Sequence, residues 1–380
     1  MTPQGFAQPR FAPVADAFAT SFDEGAETGA AISVTIDGEL VVDLWSGAAS
    51  RDSGAPWRQD TLVPVFSTTK ALTALVMAWL VEQGAVDYEQ TVASLWPEFA
   101  QNGKAQITVA QALSHQAGLP GFREEMDPSD WFDWDKITAR LAAMAPMWPI
   151  GQSGYHPITL GFLAGEIARR ASGRSIGEIL RTEFAQPHDL DLWIGLPDAE
   201  HDRVAELEKP KSFPEFGKRN PERLAAFLAP WASPGQRGAA AWRRAEFAGA
   251  NGHATARSLA RIMSLVASGG MLDDTQLLSP ATLAKLTRER VRGPDRVLPF
   301  TLAFAAGMIR NLPGLNRPGE AQGFYGPSPD AIGHSGWGGS CAFADPAKGL
   351  SFAYAMNRQS AHLIGDPRPT RLIATIYDCF

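Results

Sequence analysis

Strand-like alternation is confined to the two ends of this chain, and that split constrains its fold more than any other feature. Residues 31–44 alternate around Asp37-Gly38, a dipeptide suited to the two-residue reversal of a β-hairpin. Further strand-like runs come late, at 297–309, 333–344 and 350–357. From about 90 to 250 the chain carries helical runs with many prolines and tryptophans and few strand signals. Helices are predicted at 71–83, across 285–290 and at 370–380. The pattern predicts an α+β fold: an antiparallel sheet built from both ends of the chain, flanked by helices, with an all-helical insert. The predicted division is a discontinuous α/β domain, 1–90 with 250–380, and a mainly helical domain, 91–249. A length of 380 residues fits one large or two modest domains, and 45% hydrophobic residues are ample for a core.

The chemistry starts at Ser67-Thr68-Thr69-Lys70, which follows the apolar stretch 62–66 and opens the helical run. Positions i and i+3 share a helix face, so Ser67 and Lys70 are placed side by side at the first turn. A serine hydroxyl needs a neighbouring base before it attacks, and a lysine kept neutral by burial can be that base. The helix N-terminus turns backbone N–H groups toward developing negative charge.

Two more segments supply what the tetrad lacks. Pro149-Ile150-Gly151-Gln152-Ser153-Gly154-Tyr155-His156-Pro157 is a punctuated loop ahead of a helical run at 158–171. It presents Tyr155, a phenol that becomes a general acid and base if a nearby cation lowers its pKa. Gly333-His334-Ser335-Gly336-Trp337-Gly338-Gly339-Ser340 precedes a second hairpin, with its turn at 345–349. Glycines let such an edge approach a ligand closely. The expected oxyanion donors are the Ser67 and Trp337 N–H groups, with His334, Gly336 and Gly338 also placed at the substrate.

Together these segments resemble the serine β-lactamase and penicillin-binding-protein superfamily, most closely class C β-lactamases, D-alanyl-D-alanine carboxypeptidases and the family VIII carboxylesterases. Ser67 and Lys70 match the first motif fully. Tyr155-His156-Pro157 matches Tyr-x-Asn at Tyr155 alone, and His334-Ser335-Gly336 stands where lactamases carry Lys-Thr-Gly. Residues 65–70, 113–120 and 251–260 are also similar to the family. The resemblance implies the β-lactamase/D,D-peptidase architecture, with the site at the seam of the two domains. The departures matter chemically. An asparagine amide can bond the amide of a β-lactam, and a lysine can pair with its carboxylate. Pro157 has no polar side chain, and a histidine is only partly charged near neutral pH.

A net charge of −7 argues against nucleic acid or an anionic membrane as partner, and no apolar run approaches a membrane span. The polar start, residues 1–10, lacks an apolar signal core, which predicts a cytoplasmic location. Cys341 and Cys379 make no disulfide framework, and Cys341 reads as a small buried hydrophobe. No metal-ligand spacing or phosphate loop is evident, so no cofactor is expected. Trp131, Phe132, Trp134 and Trp148 read either as pocket walls or as core. Residues 205–242 read either as a lid or as a surface loop. His115 is expected to bond loop backbone, and Glu166 is given no water-activating role.

The expected function is hydrolysis of short-chain carboxylic esters, small-molecule substrates, through an acyl-enzyme on Ser67. The alternatives are a β-lactamase or D-alanyl-D-alanine carboxypeptidase, an acyltransferase or amide hydrolase on the same scaffold, and a catalytically silent binder. The natural ester and the oligomeric state are not legible in the sequence.

Overall fold

A computed structural model describes residues 2–316 and 321–380. Its main sheet has nine strands: β1 (Gln4–Ala7), β2 (Gly29–Ile36), β3 (Glu39–Gly47), β4 (Val291–Pro294), β5 (Thr301–Phe304), β6 (Ile309–Arg310), β7 (Ile332–Ser335), β8 (Cys341–Asp345) and β9 (Leu350–Met356). Their spatial order is β1-β3-β2-β9-β8-β7-β6-β5-β4, and every neighbouring pair is antiparallel. The principal helices are α1 (Ala12–Asp23), α2 (Thr69–Glu82), α3 (Trp134–Ala143), α4 (Thr159–Ser172), α5 (Ala256–Ala267), α6 (Pro280–Thr287) and α7 (Pro367–Tyr377). The α+β class follows as expected.

The hairpin β2–β3 turns where the sequence marks it. Asp37 and Gly38 take φ of +50° and +84°, the pair of left-handed residues that a type I′ reversal requires. The first and last parts of the chain then meet at the centre of the sheet, with Gly29–Ile36 alongside Leu350–Met356. Arg10 also donates to the Cys379 carbonyl at 2.6 Å, joining the two terminal segments.

Side chains alternate across each strand, and here the two faces differ in size. Ile32, Val34, Phe343, Phe352, Tyr354 and Met356 pack on one face with Phe18, Leu372 and Ile376 from α1 and α7. Ala31, Ala342, Ala344, Ala353 and Ala355 fill the other. An alanine-lined face lets α5 lie close to the strands. Polar bonds fix the helix there: Arg257 Nε donates to Asp43 at 2.9 Å, and Ser351 Oγ to the Ala260 carbonyl at 2.7 Å. The cluster on this face continues through α2 into the helical middle, to Leu113, Phe162 and Ile179. Helix α2 contacts α4, α6 and β7, which explains why its residues are apolar all round. Among the described residues no helix is long and apolar enough to cross a membrane.

Some strands are broken where unbroken runs are predicted. The run 297–309 folds into β5 and β6, which reverse at Gly307 with φ +91°. The run 333–344 becomes β7 and β8 around a loop at Gly336–Ser340, where Gly338 has φ +93°. Helix α6 stops at Thr287, because the next residues join the sheet edge and Arg290 N bonds the Phe304 carbonyl at 2.8 Å.

Candidate active site

Ser67 lies on a 3₁₀ turn, Phe66–Thr68, that runs directly into α2. The turn begins with Phe66 at φ +46°, a left-handed backbone that costs a bulky residue energy and persists only where its surroundings enforce it. The surroundings are visible. Val65 N bonds the Gly252 carbonyl at 2.8 Å, Ser340 Oγ bonds the Val65 carbonyl at 2.8 Å, and the Phe66 ring sits 5.8 Å from that of Trp337. The bend sets Ser67 at the head of the helix and Lys70 one turn in, with Nζ and Oγ 3.2 Å apart.

Lys70 is wholly buried. Its Nζ donates to the Pro157 carbonyl at 2.7 Å and to the Gly249 carbonyl at 2.6 Å. A neutral amine has two N–H groups and one lone pair. Two carbonyls use both N–H groups, which leaves the lone pair for the Ser67 hydroxyl. Burial favours that state, holding the Lys70 pKa well below the ordinary lysine value. The Asn251 side chain fixes the segment that carries Gly249, accepting from Phe247 N at 2.9 Å and donating to the Trp242 and Ala245 carbonyls.

Tyr155 comes from the predicted loop and packs beside this pair, its ring 4.7 Å from Lys70 Nζ. The cation expected to lower its pKa is absent in effect. Lys70 makes no hydrogen bond to the hydroxyl, and burial pushes the phenol up despite the nearby Ser67 hydroxyl. Tyr155 therefore rests as a neutral phenol, its hydroxyl buried with no hydrogen-bond partner among the described residues. The loop is anchored by Asp295, whose Oδ1 accepts from Tyr155 N at 3.0 Å, Val297 N at 2.9 Å and Leu298 N at 2.8 Å. His115 bonds loop backbone as expected, its Nδ1 accepting from His156 N at 3.0 Å.

His334 needs correction. It is buried behind Tyr155, the rings 5.9 Å apart, and Nδ1 pairs with the Ser335 carbonyl at 2.9 Å. Burial lowers its pKa to about 3, so it is neutral near pH 7 rather than partly charged. Gly336 and Gly338, expected at the substrate, flank Trp337 in the loop between β7 and β8. A first side-chain carbon at Gly336 would stand 2.2 Å from the Val65 carbonyl oxygen, and at Gly338 2.9 Å from Gln359. Both are glycine for close packing of the loop. Trp337 does line the cleft, and neither its backbone N–H nor that of Ser67 has an acceptor among the described residues.

The cleft has a volume of about 90 Å³ and is walled by the rings of Phe66, Phe227, Trp242, Phe247 and Trp337. Phe227, Arg237 and Trp242 come from 205–242, so that segment is a wall of the cleft. Trp131 and Trp148 are buried in the core and none of the four aromatics from 131–148 reaches the cleft. Glu166 is engaged by Trp134, Arg169 and Arg170. Cys341 is a buried thiol whose pKa burial raises to about 12. Gly249, Asp295 and Arg237 were not singled out from the sequence. The first acts through its carbonyl and the second through backbone N–H partners, neither of which has a side-chain signature.

The family model described as Beta-lactamase matches residues 14–375. The chain belongs to the Beta-lactamase family. Within the family it is 38% identical over 373 residues to Esterase/beta-lactamase LipL of Mycobacterium tuberculosis (strain ATCC 25618 / H37Rv), covering 95% of this chain and 84% of that protein. A penicillin-binding protein homolog from Caulobacter crescentus superposes with a TM-score of 0.95 at 54% identity, over the whole of both chains. A family VIII carboxylesterase superposes with a TM-score of 0.92 at 41% identity, again over the whole of both chains.

Proposed function

We propose that this protein is a serine carboxylesterase acting on short-chain esters through an acyl-enzyme on Ser67. The observation that carries the reading is the seat of Lys70: a buried amine with both N–H groups committed to carbonyls and Ser67 Oγ at 3.2 Å. The Ser67 proton passes to Lys70 Nζ as Oγ bonds the ester carbonyl carbon. The Ser67 and Trp337 N–H groups hold the resulting oxyanion. The C–O bond to the alcohol then breaks, and the neutral Tyr155 phenol supplies its proton. Water attacks the acyl-enzyme with the same groups working in reverse. The small, ring-walled cleft suits a short acyl chain, and relatives named as esterases support the class.

A second reading, a β-lactamase or D-alanyl peptidase, is favoured by the penicillin-binding-protein homolog at 54% identity. Against it stand Pro157, which offers no amide, and the neutral His334, which offers no cation. Hydrolysis of p-nitrophenyl butyrate and of a chromogenic cephalosporin, measured side by side with Ser67→Ala as blank, separates the two. We expect fast ester cleavage, slow cephalosporin turnover, and a folded, inactive Ser67→Ala protein. Ester turnover at the wild-type rate by that variant would remove Ser67 from the mechanism.

A further inference from the structure

The cleft in front of Ser67 is apolar apart from Ser67, Ser233 and one charge, Arg237. Its guanidinium lies over the Trp337 ring, 4.4 Å from the ring centre. No carboxylate, carbonyl or hydroxyl among the described residues accepts from it, although most arginines of this chain are paired. The Arg237 residue is exposed to solvent. A cation held over an indole is pre-positioned, and N–H groups without an acceptor remain for a planar anion. Arginine is the side chain suited to take a carboxylate through two parallel hydrogen bonds. The residues lining the cleft include no acid to compete for it. An apolar slot with a single unpaired arginine in its wall is complementary to a short hydrocarbon chain that ends in a negative charge.

Resting on the esterase reading above, we propose that Arg237 is a specificity residue that receives a carboxylate carried by the acyl chain, so that half-esters of short dicarboxylic acids are preferred over neutral esters of equal length. Hydrolysis of monoethyl glutarate and ethyl valerate, followed by ethanol release, tests this in the wild type, Arg237→Gln and Arg237→Lys. The ratio of kcat/KM for the anionic ester to that for the neutral ester should exceed one in the wild type. It should fall at least tenfold in Arg237→Gln and recover in part in Arg237→Lys. A wild type that discriminates against the anionic ester, or a ratio unmoved by Arg237→Gln, overturns the assignment. If neither ester is cleaved, the esterase reading fails, and binding decides Arg237 separately. Calorimetry of glutaric acid monoanilide against valeranilide on the Ser67→Ala protein should show tighter binding of the anionic anilide, lost when Arg237→Gln is added. Equal binding of the two anilides would overturn the proposal by that route.

Discussion

At the scale of single residues, the candidate site works by withholding solvent. Lys70 and Tyr155 both carry groups whose charged forms are costly to bury, so burial lowers the Lys70 pKa and raises that of Tyr155, and both rest uncharged. A neutral amine can accept a proton and a neutral phenol can give one, which is the division of labour that ester cleavage needs. Tyr155→Phe keeps the ring over Lys70 and deletes only the proton donor. We expect kcat to fall by roughly 10²- to 10⁴-fold with the fold intact, checked by steady-state kinetics beside a circular dichroism spectrum. A variant within twofold of wild type would assign the proton to another group. That Ser67, Lys70 and Tyr155 lie together was legible in the sequence because each stands in a motif of recognisable spacing. The Pro157 and Gly249 carbonyls that define the state of Lys70 were not, since every residue has a carbonyl and only the fold decides which two converge.

At the scale of elements, the loop between β7 and β8 is held from behind. Arg368, near the start of α7, donates to the Gly338 carbonyl at 2.8 Å and to the Arg358 carbonyl at 2.9 Å. It is itself gripped by Glu27 at 2.9 Å and Asp366 at 2.8 Å. The planar fork of arginine meets these four partners at once, and a lysine cannot. In the proposed mechanism, loosening Gly338 releases the neighbouring Trp337 N–H, the donor assigned to the oxyanion. Arg368→Lys should therefore lower kcat about tenfold while KM changes little, as read from full Michaelis curves with a thermal midpoint recorded in parallel. A raised KM at unchanged kcat would assign Arg368 to substrate binding instead. The hairpins at 37–38 and 345–349 were readable from turn residues alone, and α2 and α4 from their apolar runs. The breaks at Gly307 and Gly336–Ser340 were missed because glycine in a strand-like run marks either a weak strand or a reversal, and pairing across the sheet decides between them.

At the scale of the whole molecule, burial of histidine predicts how the protein responds to acid. His156, His253 and His334 have pKa values lowered to about 3, and that of His115 is also well below its ordinary value of 6.5, all through desolvation. Unfolded, these groups take up protons below pH 6.5; folded, they do not. Their contribution to stability is complete above 6.5 and is lost as pH falls, at up to ~1.4 kcal/mol per group per pH unit. Glu27 opposes this. Burial raises its pKa from 4.5 to about 7, so the folded state holds an extra proton between those values and loses stability as pH rises. Glu246 and Asp295, whose carboxyl pKa values burial also raises, act in the same sense as Glu27, and four histidines against three carboxyls leave the acid side weaker. The urea midpoint should drop markedly from pH 7.5 to 5.5, and a midpoint constant over that range would contradict the buried, neutral histidines.

The pairing of β2 with β9 at the middle of the sheet has a consequence for biosynthesis. A ribosome releases the β2–β3 hairpin more than three hundred residues before its partner strand, since Gly29–Ile36 waits for Leu350–Met356. During that interval the inner edge of the hairpin has unfilled backbone bonds and an apolar face, the condition under which nascent chains associate wrongly. The protein is thus one whose architecture closes last at its centre, and its yield in a cell will be set by how well that early hairpin is shielded until translation ends.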